Sequence, residues 1–156
     1  MTSTIVNSTL SVTITEAITL GGTNYGSVNI HTIADIDEID KRILTVTTSE
    51  VTVAEFGAAS EKGKYITGDV QYMRFTNLDD TNHIVLNFQN IGNDEVAIKL
   101  DAGKTLVWFG ENVGGMGDVM DADNAAISSV ALDSMKSVTA DADTASCDLE
   151  MIIASK

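Results

Sequence analysis

Asp69-Val70-Gln71-Tyr72-Met73-Arg74-Phe75-Thr76, then Asn77-Leu78-Asp79-Asp80-Thr81-Asn82, opens the stretch whose reading decides the fold. The first eight residues read as a strand and the next six as a turn. Residues 83–89 alternate, with Ile84, Leu86 and Phe88 on one side. Successive side chains on a strand point to opposite faces, so this period of two marks half-buried strands. Asn90-Ile91-Gly92-Asn93 turns again, and Val96, Ile98 and Leu100 alternate with Glu95, Ala97 and Lys99. Asp101-Ala102-Gly103 makes a third turn before a fourth strand over 104–109. These turn residues tolerate left-handed backbone or bond their own main chain. Connections this short predict antiparallel neighbours, so the stretch reads as a four-stranded meander.

Working outward, residues 110–125 hold Gly110, Gly114, Gly115 and Gly117 and read as a long surface loop of the kind that carries partner contacts. Residues 125–139 are open: Ile127, Val130 and Met135 fit a helix, whereas Val130-Ala131-Leu132 fits a strand. Cys147, Leu149, Met151 and Ile153 share one side of a last strand. Upstream, residues 57–68 are small and polar and read as a loop, after strands at 44–46 and 51–53. Residues 34–42 fit either a short helical turn or an extended connection anchored by Ile36, Ile39 and Ile43. Leu10, Val12, Ile14, Ile18 and Leu20 share one parity, with a break expected near Glu16-Ala17. Gly21-Gly22 supplies a tight hairpin turn, and Val28, Ile30 and Thr32 return. About nine or ten strands and little helix around one core predict an all-β, antiparallel two-sheet sandwich or jelly roll. The 156 residues are read as one domain, 1–156, large enough to fold without metal or disulfide.

Nine Lys and Arg against 23 Asp and Glu give a net charge of −14, which repels nucleic acid and anionic membranes. Cys147 is the single cysteine, so no internal disulfide forms, and the absence of proline excludes Pro-rich stalks and linkers. The first nine residues lack the basic and apolar regions of a secretory signal, and Asn7-Ser8-Thr9 is given no weight as a sequon. The longest apolar runs, 106–109 and 151–154, fall far short of the roughly 20 residues of a membrane span. The chain is therefore expected in a cytoplasm, or released from one by lysis.

Chemical constellations are sparse. His31 and His83 stand in predicted strands without neighbouring ligands and read as ordinary sheet histidines. Cys147 reads as a buried apolar side chain, with Asp143 and Asp148 opposing a thiolate. Serine-elbow and phosphate-loop patterns are missing, and Gly114-Gly115-Met116-Gly117 reads as a turn. Asp121-Ala122-Asp123-Asn124 and Asp141-Ala142-Asp143, in the acidic loops at 118–124 and 141–143, read as solvated loops, with a non-EF surface calcium site as the alternative. As EF-hand loops, starts at Asp121 and Asp141 both fail, with Ala125 and Ala145 fifth and Leu132 and Ile152 twelfth. A carboxylate pair from distant strands is the remaining hydrolytic option. Trp108, beside Val107 and Phe109, reads as core rather than a sugar platform. Glu111, Asp118, Asp121, Asp123, Asp133, Asp141, Asp143, Asp148 and Glu150 face one base, Lys136, across residues 111–150. This is either a solvated acidic face or one that meets a basic partner. No catalytic, cofactor-binding or metal-ligating residue is assigned.

With the strands laid out, the chain resembles the small β-sandwich virion structural proteins of tailed viruses of marine bacteria. The likeness is carried by Ile36-Asp37-Glu38-Ile39-Asp40-Lys41-Arg42, by residues 65–82, by Lys99-Leu100-Asp101-Ala102-Gly103-Lys104 and by the 141–154 ending. The resemblance implies a non-enzymatic particle component, a capsid decoration or cement protein without cofactor. Its implied partners are capsid or tail subunits and further copies of itself, neither nucleic acid nor membrane, and its implied location is the virion, assembled in host cytoplasm. A tail or collar component, and a carbohydrate- or calcium-binding module using Trp108 or Tyr72, are the alternatives.

Overall fold

The computed structural model describes residues 6–109 and 135–156. Thirteen strands are present among the described residues: β1 (Ser8–Glu16), β2 (Thr19–Leu20), β3 (Thr23–Asn24), β4 (Ser27–Ile36), β5 (Glu38–Val46), β6 (Val51–Gly57) and β7 (Tyr65–Ile66), then β8 (Val70–Asn77), β9 (Ile84–Asn90), β10 (Glu95–Leu100), β11 (Thr105–Phe109), β12 (Met135–Ala142) and β13 (Cys147–Ser155). The helical content of the described residues is one 3-10 turn, Thr67–Asp69. A five-stranded sheet, β10-β9-β12-β6-β7, faces a four-stranded sheet, β11-β8-β13-β5. The chain is thus the all-β sandwich its periodicity predicts. Every strand pairing is antiparallel except β6 with β7.

Alternation places the core between the sheets. Met73, Phe75, Leu149, Met151 and Ile153 point inward from one sheet, and Ile84, Leu86, Phe88, Val138 and Ala140 from the other; all are buried. Phe75 and Phe88 meet edge-on with centroids 6.0 Å apart, and Phe88 meets Trp108 edge-on at 5.4 Å. Burying each large apolar side chain stabilises the fold by roughly 1.5–3 kcal/mol.

The meander is corrected. β9 and β10 form a hairpin, but β8 pairs with β11 and β13, not with β9. The chain crosses from one sheet to the other between β8 and β9 and crosses back between β10 and β11. The physical reason is that all four strands carry an apolar face, and facing those across a sandwich buries them together. Asn77 holds both crossings. Its buried side chain donates to Asn82 O (2.9 Å) and Leu100 O (3.1 Å) and accepts from Asp79 N (3.0 Å).

Other segments differ in detail. Residues 34–42 take the extended alternative, running from β4 into β5. The 57–68 loop contains β7, whose two residues are too few to show a period. Met135 begins a strand rather than joining a helix. Register shifts in β12 put the buried Met135 and Val138 three residues apart on one side, which mimics helical spacing. His83 lies just before β9 instead of within it. The loop expected over 110–125, including Gly114-Gly115-Met116-Gly117 and the acids 118–124, lies outside the described residues, as does Val130-Ala131-Leu132.

Among the described residues β1 and β4 pair only with each other, as a two-stranded ribbon. β1 stops at Glu16, where a break was expected. β2 and β3 close the tip through Gly21 (φ 59°) and Gly22 (φ 83°), left-handed values that favour glycine. At the base, Leu10, Val12 and Ile33 pack with the buried Ile36, Tyr72 and Ala154 and with Ile152. Asp35 turns the chain there at φ 62°, and Asp37 N–H donates to Ser155 O at 3.1 Å. The parity read from Leu10 to Leu20 is therefore covered only at its beginning. Ile14, Ile18 and Leu20 remain exposed.

Candidate docking surface

The ribbon is an arm whose side chains do not match its exposure. Residues 6–34 contain one of the chain's 23 acids, Glu16, and no Lys or Arg. Exposed large apolar side chains gather on it: Ile14, Ile18, Leu20, Tyr25, Val28 and Ile30. Register sets two faces. Leu10, Val12, Ile14 and Glu16 lie opposite Ile33, His31, Asn29 and Ser27, and the base of this face rests on the sandwich. Ser11, Thr13 and Thr15 lie opposite Thr32, Ile30 and Val28 on the other face, which carries no charge and is exposed throughout. Among the described residues neither strand of the ribbon pairs on its outer edge, and such an edge is a template for pairing. An isolated hairpin is marginally stable in water, so such an arm gains from a partner surface. Near the tip the chain folds back around a cavity of about 510 Å³ lined by Glu16, Ile18, Asn24 and Val28 among others. Ser27 Oγ donates to Glu16 Oε2 there, and Gly26 N donates to Asn24 Oδ1 at 2.8 Å.

The outer face of the four-stranded sheet continues this surface. β5 is an edge strand, and its Ile39 and Ile43 are 63% and 60% exposed. Between them Lys41 Nζ lies 3.3 Å from Glu150 Oε2, and Arg74 Nη2 bonds Glu150 Oε1. Partial burial pushes the Glu150 carboxyl up, but hydrogen bonds from Lys41 and Arg74 outweigh it and hold it below the usual glutamate range. Val107, opposite Arg74, is exposed on the same face.

A second polar cluster closes the edge of the sandwich between β5 and β7. Tyr65 Oη donates to Asp40 Oδ2 and accepts from Arg42 Nη2 at 3.0 Å. Arg42 Nε stands 3.3 Å from Asp40 Oδ2, and its Nη2 also donates to Val53 O at 3.2 Å. Burial raises the Tyr65 phenol, and its bond to the Asp40 carboxylate raises it further. The phenol therefore stays protonated and acts as a donor. A cavity of about 490 Å³ beside it is lined by Glu38, Asp40, Arg42, Glu61 and Lys64 among others.

The residues singled out in the sequence do not converge. Cys147 is buried, and burial followed by the charges of Asp79, Asp143 and Asp148 raises its thiol. His83 Nδ1 lies 3.4 Å from Asp143 Oδ2, while His31 is on the arm. Trp108 points inward against Phe88 and Tyr72 outward beneath the arm, so they cannot form one aromatic platform. Lys136 donates to Asn93 Oδ1 at 3.1 Å. Among the described residues no group of three His, Cys, Asp or Glu side chains is arranged to hold a metal, and no helix is long and apolar enough to cross a membrane. The arm's signal in the sequence is its charge gap, 29 consecutive residues, 6–34, with Glu16 as the one charged side chain, which strand periodicity alone does not register. No protein-family model, curated protein or solved structure matches the chain.

Proposed function

We propose that the chain is a non-enzymatic virion structural protein that decorates and stabilises a viral shell. The observation that carries this reading is the division of labour within the fold. An acidic sandwich holds out a β-arm with a single charged side chain and six exposed large apolar ones, an arrangement suited to burying surface in an assembly. The polar clusters support it too, since Tyr65, Asp40 and Arg42 tie β7 to β5 and Lys41, Glu150 and Arg74 tie β5, β13 and β8 together. A protein that binds only the assembled shell raises the shell's stability by mass action.

The test is co-sedimentation of the purified full chain with undecorated shells, and separately with tails, of tailed viruses of marine bacteria. Saturable binding to shells, with a higher shell disruption temperature, is expected. Binding to tails alone would replace decoration with a tail or collar role, and binding to neither would overturn the proposal.

A further inference from the structure

We propose that the arm is an exchange arm, seated in solution on a second copy of this chain, with its uncharged face over Ile39 and Ile43 of that copy's β5. The inference does not rest on the virion reading, because its test contains no particle.

Three observations select a second copy as the occupant. The first is charge. At −14, two copies repel each other over most of their surface. The arm face with Val28 and Ile30 brings no charged side chain, and the seat sets two cations, Lys41 and Arg74, against two carboxylates, Glu150 and, at its end beside Thr45, Asp148, so it carries no net charge. These two surfaces approach each other without that penalty. The second is the match in exposure. Val28 and Ile30 are 62% and 63% exposed on the arm, and Ile39 and Ile43 are exposed to the same degree on the seat, so each patch supplies what the other lacks. The arm's own base already occupies the neighbouring part of that sheet face, over Tyr72, Ile152 and Ala154. A second arm on the adjoining part extends a packing the fold already uses.

The third is area. A ribbon whose strands run nine and ten residues is about 30 Å long and about 10 Å wide, so one face offers roughly 300 Å². Reciprocal exchange buries two arm faces and two seats, about 1,200 Å² in total, the lower bound for a stable specific interface.

The experiment is sedimentation equilibrium on the full chain and two double variants, V28E/I30E on the arm and I39E/I43E on the seat. All four positions are largely exposed, and an unchanged far-ultraviolet spectrum with a cooperative thermal transition confirms that each variant folds. I91E, at the exposed β9–β10 turn, is the control. The native chain and I91E are expected to associate at micromolar concentration, and each double variant to dissociate at least tenfold more readily. Mixing the two double variants leaves one intact arm facing one intact seat, so a mixed dimer is expected to form where neither variant self-associates. A monomeric native chain, a double variant that associates like the native chain, or a mixture that gains nothing would each overturn the proposal.

Discussion

Phe75 and Phe88 touch edge-on across the sandwich although they lie on strands consecutive in the chain and in different sheets. Both rings are fully buried. Replacing Phe88 with alanine removes contacts to Phe75 and Trp108 together. A loss of about 3–5 kcal/mol is expected for such a truncation, measured by urea unfolding. A loss below about 1 kcal/mol would mean that the ring is not central to the core.

Asn77 is the polar counterpart of that contact. Asn77→Ala strips donors from the Asn82 and Leu100 carbonyls at both sheet crossings. Leaving buried groups unsatisfied costs about 1–3 kcal/mol. Amide exchange is expected to quicken at residues 78–83 and 101–104 while β13 stays protected. Uniform acceleration throughout the molecule would show that Asn77 does not act on the crossings.

Tyr65 is raised in the folded chain, so its contribution to stability is complete below the ordinary phenol value of about 10. That contribution is lost as pH rises above 10 toward the folded value. Ultraviolet titration of Tyr65→Phe against the native chain is expected to show almost no missing phenolate signal near pH 10. A full one-tyrosine difference there would remove the Asp40 bond from consideration.

The acid side runs the other way. Backbone hydrogen bonds from Asn82 and Thr81 lower Asp79, Lys99 lowers Asp101, and Lys41 with Arg74 lowers Glu150 against a desolvation that raises it. Their contributions are present above the ordinary carboxylate range and vanish as pH falls through the lowered values. Melting temperature should therefore drop as pH falls below about 4. Asp79→Asn is expected to flatten that drop, and an unchanged acid limb would count against it.

Cys147 should resist alkylation. A buried thiol held protonated reacts slowly, because the thiolate is the nucleophile. Iodoacetamide at neutral pH is expected to label it only at the rate of unfolding. Labelling in minutes without denaturant would refute the burial.

What the sequence revealed follows from what each signal measures. Alternation along β9, β10 and β13 reports which side chains point inward, and the structure buries Ile84, Leu86, Leu149 and Met151 as read. Alternation does not report which strand lies beside which, and the short turn after β8, which predicts β9 as its neighbour, carries the chain to the facing sheet instead. Register shifts in β12 broke the period of two and hid the strand. The arm was legible as strands but not as an arm. Parity tells which side of Ile14 and Leu20 is apolar, and only tertiary placement tells whether anything covers it.

β13 lies between β8 and β5 in its sheet. Thr45 Oγ1 reaches Asp148 Oδ1 at 3.1 Å across 103 positions of sequence. During synthesis β5 and β8 leave the ribosome long before the strand that joins them, so half the sandwich must wait with its inner surface unmatched. Pairings this distant in sequence slow folding, and the nascent chain carries a window for misassembly that closes only when residues 147–155 arrive.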